Sequence, residues 1–425
     1  MNTLSLIPSH SIGDQEHPVE DIRTFARPSA KRVVVYYNGT FIHLRNGAHS
    51  RMASLLRYLV DAGCLVTLFS FANHPAEPWV ETAQIAFKNA FPTVRLVLDT
   101  QTALLRRLTF LKNAVSSFLP ARAQRIIAWR HRGASPNYEA LVAESSEAVW
   151  IVNYADGLTQ LNGIPSAPIV IETHDIKFVQ VAKKDCKPPF NFRSLLRMRS
   201  EIGVLNCSAA IIAISPVEAG FFRTILTGPD VFYIPQYGSS APVRRSDRPE
   251  EGYLYDLIFV GSDMFQNARG LLAFLETNKS WLMSLRIAIV GRVCENSSIR
   301  EFKQGRPHIN LLGFVEDLST VYATSKAAIS PVDGTGLKIK AVEALSHGRP
   351  VFASRHSMEG LAAGYGRCVF PIERAHIERV LLDDAALEEA QTAALAYWES
   401  LGTAGDLTAF WNFLERASNA TGSIT

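Results

Sequence analysis

Pro331–Ser354, PVDGTGLKIKAVEALSHGRPVFAS, decides how this chain is read. A largely apolar run, Ala327 to Val332, stops at a glycine-rich turn, and helical periodicity (Leu337, Val342, Leu345) begins directly after it. The spacing predicts a strand, a tight loop, a helix of about three turns and a second strand. Gly334 and Gly336 flank Thr335 where the backbone must turn and approach a ligand closely. The first amides of a helix lack internal partners, so with the helix dipole they form an anion site. Lys338 falls in that first turn, where a cation is unfavourable for the dipole; a bound phosphate supplies a reason for it. Glu343 is the one charge in Ala-Val-Glu-Ala-Leu, either solvated or half buried and hydrogen-bonded. A dinucleotide fingerprint needs a third glycine where Ile339 stands, and the phosphate loop of NTPases needs Gly-Lys-Ser/Thr, which is absent.

The alternation extends over the whole chain. With 425 residues, two α/β domains are expected rather than one core. A hydrophobic content of 47% describes a globular protein, and a net charge of +3 gives no reason to expect a nucleic-acid partner. The five cysteines (Cys64, Cys186, Cys207, Cys294, Cys368) are scattered without C-x-x-C spacing, which argues for a reducing compartment and against a zinc site. No apolar run approaches the ~18 residues of a membrane span, and residues 1–30 read as a flexible tail without a signal-peptide core. A cytoplasmic location follows.

Val33–Tyr37, a helix from about Ala48 to Asp61 and Leu65–Phe71 form the strand–helix–strand opening of a doubly wound domain spanning 31–236. Arg45, Gly47, His49 and Arg51 lie before or within that helix, where they either face a cleft or decorate a surface. Residues 237–253 are rich in Gly, Ser, Pro and charge and read as a linker. A second alternating domain follows over 254–384, and residues 385–425 read as terminal helices returning to the first domain. Between Thr100 and Tyr138 there is no acidic residue, while Arg106, Arg107, Lys112, Arg122, Arg125, Arg130 and Arg132 are basic. The stretch 106–132 reads either as an amphipathic surface for an anionic membrane or as a solvated helix face. Pro168–Glu172 leads into Thr173-His174-Asp175 at a strand end, where ligands of open α/β sheets gather. Arg292 follows another strand end, and its planar fork matches a diphosphate.

Leu257–Asp263 with Asn267, Ile289–Arg292, Leu312–Leu318 and the Gly334–Val351 motif occur in that order. Together they resemble the family 4 (group 1) retaining glycosyltransferases of GT-B fold, most clearly over about residues 205–360. The resemblance implies an α/β architecture of two Rossmann-like domains facing across a cleft, with the C-terminal helix crossing back to the first. It implies that Gly261, Arg292, Gly313, Phe314, Val315, Gly334, Thr335, Gly336, Leu337, Lys338 and Glu343 bind the donor. Gly47, Arg51, His174 and Asp175 would serve the acceptor side, and His174, Lys338 and Glu343 the catalytic step. Many members carry two glutamates separated by seven residues; Glu343 matches the second, and Thr335 stands where the first would be.

The expected reaction is transfer of a sugar from a UDP- or GDP-sugar to a saccharide, lipid-linked or other hydroxyl acceptor, with retention, in polysaccharide or glycolipid assembly. Lys338 and the helix N-terminus supply the charge compensation, so neither cofactor nor metal is required. Two other readings stay open: a GT-B sugar-nucleotide epimerase, and a silent nucleotide-sugar-binding scaffold, given Thr335. Peripheral contact with the inner face of a membrane fits the basic stretch.

Overall fold

The computed structural model describes residues 31–44, 47–116, 135–163, 165–184, 191–237, 252–333, 337–403 and 405–421. The 1–30 tail, nearly all of the 237–253 linker and the 334–336 loop lie outside them. Two all-parallel sheets organise the chain. The first holds β1 (Arg32–Tyr36), β2 (Leu65–Phe71), β3 (Arg95–Asp99), β4 (Val149–Asn153), β5 (Ile169–Glu172), β6 (Ala210–Ala213) and β7 (Asp230–Tyr233) in the order 3-2-1-4-5-6-7. The second holds β8 (Tyr255–Val260), β9 (Ile287–Val290), β10 (Ile309–Gly313), β11 (Ser325–Ser330), β12 (Val351–Ala353) and β13 (Val369–Pro371) in the order 10-9-8-11-12-13. Strands such as Val149–Asn153 are buried along their whole length, as sheets with helices on both faces require.

Each sheet reverses direction of growth once, between β1 and β4 and between β8 and β11, where Val34 pairs with Trp150 and Ala327 with Leu257. Helices diverge to opposite faces at such a switch point and leave a crevice at the carboxyl strand ends. Both crevices open toward the same space, and the lobes meet beside it. Gly47, at the start of the Gly47–Asp61 helix, faces Ile339, at the start of the Ile339–Ser346 helix, so closely that a Cβ on Gly47 would lie 2.8 Å from the Ile339 Cβ. Ile214, which follows β6, packs in the second lobe's core with Leu337, Ala341 and Leu361.

The C-terminal tail divides. The Asp384–Thr403 helix stays on the second lobe, where Ala394, Trp398 and Leu401 join its core. The Leu407–Thr421 helix returns to the first lobe, burying Phe410, Trp411, Phe413 and Leu414 against Phe232 and its neighbours. Asp406 pins the return: its amide donates to the Tyr233 carbonyl at 2.8 Å, and Arg223 donates to its carboxylate at 2.7 Å.

Candidate active site

The space between the lobes is a cleft of 770 Å³ whose walls come from both switch points. On the first-lobe side it is edged by Tyr37 after β1, Tyr154 after β4 and His174 and Asp175 after β5. The Tyr154 and His174 rings pack with centroids 4.5 Å apart, and the Lys177 ammonium sits 4.2 Å above the Tyr154 ring. Tyr154 holds φ +62° and ψ 150°, a region costing a non-glycine residue about 1–3 kcal/mol. Its amide donates to the Glu172 carbonyl at 2.8 Å, which helps keep it there. Asp175 accepts from the Gln180 amide at 2.8 Å.

On the second-lobe side, Gly261, Gly291 and Gly313 end adjacent strands or follow them directly. Gly291 has φ +98°, and a Cβ on it would lie 2.3 Å from the Gly261 carbonyl oxygen, so only glycine lets these strand ends close up. Arg292 reaches the cleft rim, where its fork meets Asp263 at 3.2 Å and Glu295 at 3.8 Å. Phe314, 62% exposed, presents its ring to the cleft beside Val315 and Glu316. His347 stacks on Tyr322 at 4.7 Å, and the Tyr322 hydroxyl donates to Glu343 at 3.5 Å. Burial pushes the Glu343 carboxyl up to about 7, against the opposing pull of Tyr322 and Lys340.

The structure brings most predicted residues together. Gly47, His174, Asp175, Gly261, Arg292, Phe314, Val315, Leu337, Lys338 and Glu343 all line the cleft. Gly313 ends β10 one residue before Phe314, with its own φ at +69°. Lys338 is the N-cap residue of a two-turn helix, Ile339–Ser346, and not a residue within the first turn of a three-turn one. Leu337 also buries its side chain in the second lobe's core. Gly334, Thr335 and Gly336 lie outside the described residues, as do Arg45 and the basic residues of 117–132.

Arg51 is a correction. It is 4% exposed and points away from the cleft into the first lobe. Its Nε donates to Glu172 at 2.8 Å, its Nη atoms donate to the carbonyls of Pro235 and Ile234 at 2.9 and 2.8 Å, and the guanidinium covers the Tyr237 ring. With three of its five N–H donors engaged inside the first lobe and almost none of its surface exposed, this fork is a structural clamp and not an acceptor ligand. His49 is likewise buried, against Tyr37.

Two cleft residues escaped the sequence reading. Lys340 carries an ammonium that donates to Asn267 Oδ1 and lies 5.1 Å over the Phe259 ring. Burial, with the Lys338 charge beside it, lowers it to about 7, while Glu343 opposes the shift. Its signal was present, since it precedes Glu343 by three residues and so shares that helix face. Tyr154 could have been found as the residue immediately after a switch-point strand.

Residues 255–381 match the family model described as Glycosyl transferases group 1. Over these residues the second lobe is similar to a group 1 glycosyl transferase domain. No curated protein sequence matches this chain. Its architecture is GT-B. Among solved structures, sucrose-phosphate synthase from Thermosynechococcus elongatus superposes with a TM-score of 0.61 at 15% identity, covering 91% of this chain and 100% of that one. A variant of S. aureus TarM, solved in complex with fondaparinux, alpha-GlcNAc-glycerol and UDP, gives 0.60 at 11% identity over 90% and 99%. Anabaena HepE in complex with UDP and glucose gives 0.56 at 15% identity over 90% and 100%. At these identities the likeness is one of fold.

Proposed function

We propose that this glycosyltransferase moves a sugar from a nucleoside diphosphate sugar to a hydroxyl acceptor with retention of anomeric configuration, in the assembly of a polysaccharide or glycolipid. One observation carries the reading: the N-terminus of the Ile339–Ser346 helix, with Lys338 at its cap and Lys340 in its first turn, opens onto the cleft between the lobes. Departure of a nucleoside diphosphate places negative charge where those amides and ammonium groups converge, and compensation there lowers the barrier. Glu343 then takes the ribose hydroxyls, and Phe314 and Val315 flank the base. The acceptor enters along Tyr154, His174 and Asp175. HepE was solved with UDP and glucose, and TarM with UDP and a saccharide, in the same fold; this supports a uridine diphosphate sugar as donor, and the guanosine counterpart is the alternative to test. No metal is assigned a part in the reaction.

A lipid-linked acceptor suits the outer surface of the first lobe. Leu104 and Leu111 on the Ala103–Ser116 helix are 49% and 51% exposed, and Arg106 and Arg107 are exposed between them. This pairing supports contact with an anionic membrane face. Among the described residues, no helix is long and apolar enough to cross a membrane.

A thermal-shift screen against UDP-, GDP- and ADP-sugars tests the donor, followed by nucleotide release with and without acceptor. Stabilisation by one nucleotide class and acceptor-dependent release are expected. Conversion of the sugar nucleotide without an acceptor would replace transfer by epimerisation, and no shift with any nucleotide would leave only a scaffold.

A further inference from the structure

His174 reaches the cleft on a foundation of buried polar groups that the transfer reaction does not itself require. The Asn153 side-chain nitrogen lies 2.9 Å from Glu172 Oε2 and 2.9 Å from His174 Nε2. Glu172 is fully buried. It also accepts from Arg51 Nε at 2.8 Å and from the Tyr237 hydroxyl at 2.6 Å. An arginine in ion-pair contact keeps that carboxyl ionised, and an ionised carboxylate only accepts. The Asn153 atom that faces it must therefore be the amide nitrogen, because the reversed amide would set oxygen against oxygen. The nitrogen has two hydrogens, and the second faces His174 Nε2.

An imidazole nitrogen opposite an N–H donor must be the acceptor, and the ring proton then resides on the other nitrogen. Direct contact between His174 Nε2 and Glu172 Oε2, at 3.7 Å, is too long for a hydrogen bond to compete. His174 Nδ1 makes no hydrogen bond with the described residues. The Tyr154 ring, held by its strained backbone, fixes the plane of the imidazole.

We propose that Asn153 and Glu172 are positioning residues that hold His174 as the neutral tautomer protonated on Nδ1, so that it enters the cleft as a hydrogen-bond donor and not as a general base. On the glycosyl-transfer reading, the group it serves is an oxygen of the donor or acceptor sugar. The tautomer itself does not depend on that reading.

The test is a long-range 15N–1H spectrum of the full, ligand-free chain with 15N-labelled histidine, with His174→Gln to assign the ring. The wild type is expected to show a protonated Nδ1 and an unprotonated Nε2 at pH 7. In Asn153→Ala the constraint is gone, and the expected outcome is a shift toward Nε2–H or a mixture, with kcat lowered and nucleotide affinity held within about twofold. A wild-type ring protonated on Nε2 or on both nitrogens overturns the proposal, as does an unchanged ring in folded Asn153→Ala. If that variant does not fold, the wild-type spectrum still decides. Failure of the nucleotide screen would remove the transfer reading and leave the tautomer standing.

Discussion

Gly47 and Ile339 belong to different lobes, yet a single added methyl on Gly47 would come within 2.8 Å of the Ile339 Cβ. The two helix N-termini that flank the cleft therefore touch. In a helix, alanine is worth about 1 kcal/mol over glycine, so Gly47→Ala leaves the first lobe folded. Its methyl must instead push the lobes apart, and misplacement of reacting groups by about 1 Å costs up to about 100-fold. The expected result is an unchanged melting temperature with kcat lowered about 10- to 100-fold. Kinetics beside calorimetry check it; full activity would show that the lobes have slack here.

Lys338→Ala removes the cation at the cap of the Ile339–Ser346 helix. A loss of kcat on the order of 10²–10³ is expected, with fold and melting temperature retained. Glu343→Gln, by contrast, should weaken nucleotide binding by about tenfold and leave the bound-state rate close to wild type. Single-turnover measurements separate the two effects, and retained transfer in Lys338→Ala would refute the assignment.

Lys340 and Glu343 both titrate near neutrality, and this gives nucleotide binding a pH dependence. The Lys340 ammonium is lowered to about 7, so the free protein loses this charge as pH rises through 7. A diphosphate favours the charged form, and affinity should fall above pH 7 by at most about tenfold per pH unit. Glu343, raised to about 7, gains a proton as pH falls below 7 and ceases to be the better acceptor for ribose hydroxyls. Affinity is therefore greatest near pH 7. Lys340→Met should abolish the alkaline limb without lowering the melting temperature, since it replaces a buried ammonium by an apolar chain of similar length. Calorimetric titration of UDP or GDP between pH 6 and 9 measures both limbs.

Arg51 and Phe410 are predicted to matter for stability. Arg51→Met leaves Glu172 buried without its charge partner, a change that costs about 3–5 kcal/mol. Phe410→Ala empties a fully buried site beneath the returning C-terminal helix, at about 3–5 kcal/mol. Denaturant melts read both. A wild-type midpoint in Arg51→Met would show that the Arg51–Glu172 pair contributes no net stability.

Hydrophobic periodicity by itself determined the two rounds of strand and helix, because parallel strands covered on both faces must be largely apolar, as Val149–Asn153 is up to its last residue. It also placed His174, Arg292 and Lys338 near strand ends and a helix start, since such positions follow from local pattern. Only the tertiary structure decided which neighbours those side chains met. Arg51 sits on the buried face of its helix, and its partners Glu172, Ile234 and Pro235 lie more than 120 residues away. The form of His174 rests on Asn153 and Glu172, which come from two different strands. Lys340 acquired its shifted titration chiefly from the burial that packing of the second lobe imposes, with the Lys338 charge adding to it. Charge state and tautomer depend on distances through space, and a linear sequence specifies distances along the chain.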